Sequence, residues 1–213
     1  MKEAGGARVR NIPFRRLVGS LVVLGVLLGI LGTADAHPHV WIDTIATFVF
    51  ERGKVVSLRL DWTFDELFSD SLLQEVQAKK RPGRLDDRQV KQLYEKAFAN
   101  LKTEQYFIHL YLGGKRLPIQ EVAEFSAANR SGRVAYQFTV RLPSPVDPMV
   151  TPVALSVYDE AYFVEVAFDG KTPVHFAGTP DPPCRAEVTE DRTHPIYFGM
   201  VFPQQVRLAC RKG

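Results

Sequence analysis

Cysteine is scarce in this chain: Cys184 and Cys210 are the only two. Two distant thiols match no metal-binding spacing, which argues against a cysteine-based metal site. In an oxidising compartment they are expected to form one disulfide closing the C-terminal loop, contributing about 3 kcal/mol through the unfolded state. No Gly-x-Ser-x-Gly, no His-Glu-x-x-His and no phosphate-binding glycine loop occurs, so the chain carries no hydrolase signature. There are no internal repeats and no low-complexity segment. Beyond the N-terminal region no apolar run resembles a membrane span, and no cysteine comes directly after the N-terminal apolar run, which argues against a lipid anchor.

What the N-terminal region does hold is a basic stretch (Lys2, Arg8, Arg10, Arg15, Arg16), an apolar run from Leu17 to Leu31, and then Ala34-Asp35-Ala36. This is the layout of a cleavable export signal with small residues at the two recognition positions. The run contains Gly19, Ser20, Gly25 and Gly29 and is shorter than the roughly 20 residues that span a bilayer, so cleavage is favoured over anchoring. The expected organisation is a signal over residues 1–36 and one exported domain over 37–213. The first 36 residues hold five of the 27 basic and two of the 24 acidic residues, leaving 22 of each. The mature chain is then formally neutral, and the basic balance of the whole gives no reason to expect nucleic-acid binding.

Residues 40–50 alternate Val40, Ile42, Thr44, Ala46, Phe48 and Phe50 with a second set, the period of a strand. Glu51-Arg52-Gly53-Lys54 reads as a turn, and Val56, Leu58, Leu60, Trp62 and Phe64 alternate after it, predicting a hairpin with even-numbered core faces. An even register places Asp43 opposite or diagonal to Asp61, and brings His37 and His39 near residues 61–66. Thr63-Phe64-Asp65-Glu66 has the form of a capping box before a short helix, and Lys79-Lys80-Arg81-Pro82-Gly83 breaks it. A second helix is predicted over 86–102, with Val90, Leu93, Ala97 and Leu101 on one face. Strands follow over 106–112, 134–142, 153–158, 162–168 and 206–210, with Pro143, Pro145, Pro148 and Pro152 marking a connection. The predicted fold is mainly β: an antiparallel sandwich-like or α+β domain with a two-helix insertion after the first hairpin.

Cleavage after Ala36 frees an amine on His37, which with its own imidazole can chelate a metal ion. His39 lies about 6.6 Å further along the same face of an extended chain. These nitrogens suit copper, nickel or zinc. Pro38 has no N–H to lose and so excludes the square-planar mode that uses deprotonated amides. The donors must be deprotonated, so binding weakens in acid. The alternative is a solvated tail; a cleavage site, a terminal histidine and a second histidine on one face together favour metal. Asp43 lies about 13 Å from His39 along a strand and cannot share its ion. Asp61, Asp65 and Glu66 sit at the right end of the hairpin, Glu66 being better explained by the first helical turn. His109 is the preferred third histidine because it lies in regular structure, whereas His175 and His194 sit beside prolines. Asp159-Glu160 reads as a strand-connecting turn. Trp41 shares the face of His39 and Asp43, where it would shield an ion or pack at a sheet edge. The candidate metal ligands are therefore His37, His39, Asp61, Asp65 and His109.

Four ordered segments, 37–43 (His-Pro-His-Val-Trp-Ile-Asp), 61–69 (Asp-Trp-Thr-Phe-Asp-Glu-Leu-Phe-Ser), 100–110 (with Asn-Leu-Lys and Tyr-Phe-Ile-His-Leu) and 157–163 (Val-Tyr-Asp-Glu-Ala-Tyr-Phe), resemble the bacterial periplasmic family catalogued as domain of unknown function 1007. Glu160 stands where many members of that family have proline. The resemblance implies a periplasmic component of a transport system, in some cases associated with nickel/cobalt permeases. The combined expectation is a monomeric periplasmic accessory, not an enzyme, that binds a divalent transition metal and works with a membrane permease or another transport component. The alternatives are a copper enzyme with a histidine brace and a metal-free interaction module of the envelope.

Overall fold

From Val40 to Glu51 each even-numbered side chain is buried and each odd one is half-buried or exposed, so strand β1 (Val40–Glu51) shows one face to a core, as its alternation predicts. Arg52 and Gly53, at φ 50° and 77°, form the two-residue turn whose twist suits a hairpin. Strand β2 (Lys54–Phe64) returns antiparallel to β1, with Asp43 opposite Thr63 and Ile45 opposite Asp61. Asp43 and Asp61 are thus diagonal on the non-core face. The even parity fails only beside the turn, where the ladder slips between Val49 and Phe50 and Val55 is buried in place of Val56.

The structure, a computed structural model, describes residues 39–79, 82–168, 170, 172–180 and 183–211. The expected signal, its cleavage site, His37 and Pro38 lie outside the described residues. No helix among the described residues is long and apolar enough to cross a membrane.

Helix α1 (Glu66–Glu75) starts two residues later than the capping-box pattern predicts. Thr63 stays in the β1–β2 ladder, and Asp65 caps the helix by accepting the N–H of Phe68 at 2.9 Å. Strand β3 (Gly83–Arg84) follows, then helix α2 (Asp87–Leu93), which opens with a complete capping box between Asp86 and Gln89. The predicted helix over 86–102 is realised in three parts. Beyond Leu93 the chain widens to a π turn over Tyr94–Phe98 and tightens to a 3-10 turn over Ala99–Lys102. The wide turn accompanies the burial of Phe98, whose ring lies against Trp62, Tyr106, Phe125 and Phe138.

The remaining strands are β4 (Ile108–Leu112), β5 (Lys115–Leu117), β6 (Ala123–Arg130), β7 (Arg133–Val146), β8 (Val153–Val157), β9 (Val164–Phe168), β10 (Val174–Ala177), β11 (Cys184–Glu190) and β12 (Gln204–Cys210). The larger sheet runs β10-β1-β2-β7-β6-β3, with β9 also on β1; the smaller runs β11-β12-β8-β4-β5. Pairing is antiparallel except on the outer edge of β1, which takes β9 and then β10 in parallel. Pro143 and Pro145 do not end β7 as the sequence suggests. They fall between Arg141, paired with Ser57, and Val146, paired with Val55, where β7 bulges away from its neighbour. Both sheets contribute to one hydrophobic cluster, with Phe48, Leu58, Leu60 and Trp62 from the first and Ile108, Leu110, Leu155 and Val206 from the second. The architecture is the mainly β, sandwich-like domain with helices after the first hairpin. Cys184 and Cys210 face each other across β11 and β12 and form the expected disulfide.

Candidate functional site

The described parts of the segments that carry the family resemblance meet around the turn joining β8 to β9. Asp159 organises that turn. Its Oδ1 accepts the N–H of Ala161 at 3.0 Å and its Oδ2 those of Phe163 at 2.9 Å and Val164 at 3.1 Å. This is the backbone-satisfying role of an aspartate in a turn. The Phe163 carbonyl accepts the N–H of His39 at 2.9 Å, and the two rings lie 4.7 Å apart. The start of β1 is therefore pinned to this turn, and His39 itself remains exposed.

Asp65 ties the next segment in. Its Oδ2 accepts the N–H of Trp41 at 2.9 Å, and its own N–H donates to the Trp41 carbonyl at 2.9 Å. His39 and Asp65 thus flank Trp41 at one end of the hairpin. Each carboxylate oxygen already accepts a backbone N–H but keeps a second lone pair. Asp61 is committed otherwise: Arg130 donates to its Oδ1 at 3.0 Å and Gln137 to its Oδ2 at 3.0 Å. Asp43 pairs with Arg133 at 2.6 Å, while the Arg133 Nε donates to the Phe64 carbonyl at 2.6 Å. The β6–β7 turn thereby supplies two arginines that compensate the acidic face of the hairpin. Sequence reasoning passes over them because that turn and β6 are not predicted.

His109 is on the other sheet. It is buried on β4, stacked on Tyr158 with centroids 3.5 Å apart, and its Nε2 lies 3.1 Å from the Tyr158 carbonyl. A carbonyl only accepts, so Nε2 carries the hydrogen, and Nδ1 is left as a buried acceptor without a partner. Burial, with Arg116 nearby, lowers its pKa to about 4 and keeps the ring neutral. His109 touches the same β8–β9 turn as His39 but from the opposite side of Asp159. Among the described residues no three of His, Cys, Asp and Glu gather in a metal-binding group. His39, Asp61, Asp65 and His109 are thus not one ligand set: Asp61 is spent on Arg130 and Gln137, and His109 is enclosed in the second sheet.

Beneath the pinned start of β1 lies a cavity of about 300 Å³. Its walls are Val40 and Ile42 of β1, Trp62 and Phe64 of β2, Phe68 of α1, and Phe107, Tyr136 and Phe163; Glu104 and Asp159 also line it. The Trp62 Nε1 and the Tyr136 hydroxyl are buried without a hydrogen-bond partner, and burial pushes the Tyr136 phenol well above its ordinary range. Sequence reasoning assigns these aromatic residues to the core and contains no signal for the space between them.

A second polar group sits on the outer face of the smaller sheet. Buried Asp191 accepts from Gln205 at 2.8 Å and lies 2.7 Å from the Nδ1 of His194, whose ring stacks on Tyr111. Despite burial, its bonds to Thr193 and His194 hold Asp191 below the usual carboxylate range. His194 is thus the partner of a structural carboxylate in the β11–β12 connection.

The chain is similar to an uncharacterized 15.5 kDa protein in the trpE 3′ region of Spirochaeta aurantia, being 33% identical over 121 residues, which cover 57% of this chain and 86% of the other. A family model described as "Protein of unknown function (DUF1007)" matches residues 22–197, most of the chain, and the protein belongs to that family.

Proposed function

We propose that the protein is a metal-handling accessory of the bacterial envelope, which holds a divalent transition-metal ion as cargo at its mature N-terminus and exchanges it with a membrane permease or another transport component. The observation that carries this reading is the pinning of His39. A histidine at the exposed start of β1 is held by the Phe163 carbonyl and ring instead of ending a loose tail. His37 precedes it by two residues, within about 7 Å by chain length alone. The amine and imidazole of His37 and the imidazole of His39 then form a nitrogen donor set suited to nickel, cobalt, copper or zinc. Asp65, bonded to the N–H of Trp41, is a carboxylate tied to the same end of β1. Open access at a sheet end favours reversible exchange over storage, and no group of the described residues is needed as a catalyst.

The test is a calorimetric titration of protein beginning at His37 with Ni(II), Co(II), Cu(II) and Zn(II), beside a form carrying one extra residue before His37 and a His39→Ala variant. The reading expects both changes to weaken binding by about tenfold or more, on the scale of one lost ligand interaction. Equal affinity of the native and extended termini would sink the terminal-amine site.

A further inference from the structure

Between β11 and β12 the chain makes a tight turn that carries apolar side chains on its outside. Ile196 and Val201 close it: the Ile196 N–H donates to the Val201 carbonyl at 2.9 Å, and the Val201 N–H returns a bond at 3.3 Å. Met200 bonds back to the Tyr197 carbonyl at 3.1 Å. At the tip Tyr197, Phe198 and Gly199 are all left-handed, with φ of 47°, 57° and 83°. That conformation is disfavoured for aromatic residues, and burial gives Phe198 nothing in return. It is 94% exposed, Met200 is 64% exposed, and Phe202 on the descending side is 41% exposed. Glycine or asparagine would serve the turn better, so the phenylalanine answers to something outside the chain.

The surroundings of the tip indicate what it enters. Tyr197 lies 5.3 Å from Tyr162 and 5.5 Å from Phe198, forming a phenolic shoulder below the apex. Further back, the Arg192 guanidinium sits 5.8 Å from the centre of the Phe202 ring. An apolar apex, an aromatic shoulder and a cationic base follow the order of a bilayer surface, from hydrocarbon through headgroup to phosphate. The charge balance permits that approach. Residues 183–211 hold four arginines and three carboxylates. Each carboxylate is paired, Glu187 with Arg185, Glu190 with Arg192 and Asp191 with His194, and the Arg192–Glu190 pair is solvent-exposed, so its guanidinium can exchange onto a lipid phosphate at little cost.

We propose that this turn is a membrane-contact element, inserting Phe198 and Met200 into the interface of a phospholipid bilayer. So small an apolar tip gives shallow, reversible attachment. The inference is independent of metal binding.

The full chain has no free cysteine among its described residues, so a single introduced cysteine can carry an environment-sensitive fluorophore. Met200→Cys places it at the tip, and Val150→Cys, at a site 78% exposed on the β7–β8 connection, serves as the control. With vesicles of phosphatidylethanolamine and phosphatidylglycerol, the label at position 200 is expected to brighten and shift to the blue while the label at 150 stays unchanged. Adding Phe198→Ser should weaken the lipid response at 200 by about tenfold, with no fall in thermal stability. The proposal is overturned by a silent label at 200, by equal responses at 200 and 150, or by an unchanged lipid response with Phe198→Ser. A response at 200 that follows protein concentration without lipid would also overturn it, because a second copy would then cover the tip.

Discussion

Asp65 and Trp41 exchange two hydrogen bonds at 2.9 Å, side chain to N–H and N–H to carbonyl, so the residue that caps α1 also staples the start of β1. Asp65→Ala is expected to cost about 2 kcal/mol, a helix cap plus a strand bond. Asp65→Asn, which keeps one acceptor, should cost about half as much. Urea denaturation of the two variants measures the difference, and an alanine variant as stable as the parent would contradict the double role.

The same residue allows stability to be separated from the proposed metal affinity. If the cargo ion is held by the His37 and His39 nitrogens, Asp65→Asn should alter nickel or copper affinity by less than about threefold, while His39→Ala weakens it by about tenfold or more. A larger loss in the aspartate variant would instead make Asp65 a ligand.

His109 gives the fold an acid limit. An unfolded histidine ionises near 6.5 and this one near 4 in the folded chain, so between those values the unfolded state takes up a proton that the folded state refuses. Stability should therefore fall as pH drops from about 6.5 to about 4, by up to about 3 kcal/mol, and this contribution should level off below that. Denaturation curves at pH 7, 5.5 and 4 measure it. A His109→Gln variant should lose this part of the pH dependence.

Gly178, just after β10, stands where no side chain fits. It has φ +77°, and a Cβ would lie 2.2 Å from the Phe50 carbonyl oxygen of β1. Gly178→Ala is expected to destabilise the protein by about 3 kcal/mol, through backbone strain and displacement of the β1–β10 edge. A melting temperature within one or two degrees of the parent, on the order of experimental scatter, would show that the edge yields freely.

The Cys184–Cys210 bridge spans a sequence separation of 26. Reducing it, or replacing both cysteines by alanine, should lower the unfolding free energy by about 3 kcal/mol. Because the bridge closes the β11–β12 pair, amide exchange should rise first in β11, the edge strand of the smaller sheet.

The first hairpin was open to sequence reading because its core residues recur at every second position over two long runs, and parity then limits the register. Locally polar or short pieces were not. Strand β6, Ala-Glu-Phe-Ser-Ala-Ala-Asn-Arg, has weak strand preference and is extended because β7 pairs with it. Thr63 matched a capping motif, yet the β1–β2 ladder holds it and gives the cap to Asp65, a tertiary effect that no local pattern records. The arginines facing Asp43 and Asp61 lie 90 and 69 positions away from them, beyond the reach of periodicity. His109 was legible as a strand residue, but its enclosure depends on Tyr158 from another strand end. His37 and His39 are visible in the sequence as chemistry; the grip of Phe163 on His39 requires the fold.

The outer edge of β1 also sets an order of assembly. For a chain made from its N-terminus, β2 is available to β1 almost at once, but Val164, the partner of Val40, comes 124 residues later, and Val174 later still. Closing so long a loop delays the contact, so the leading strand waits half-dressed until most of the chain has emerged. The histidine at its head acquires its Phe163 clasp only then, which makes the docking of His39 a late product of folding, after β2, β3, β6 and β7 of the large sheet have all emerged.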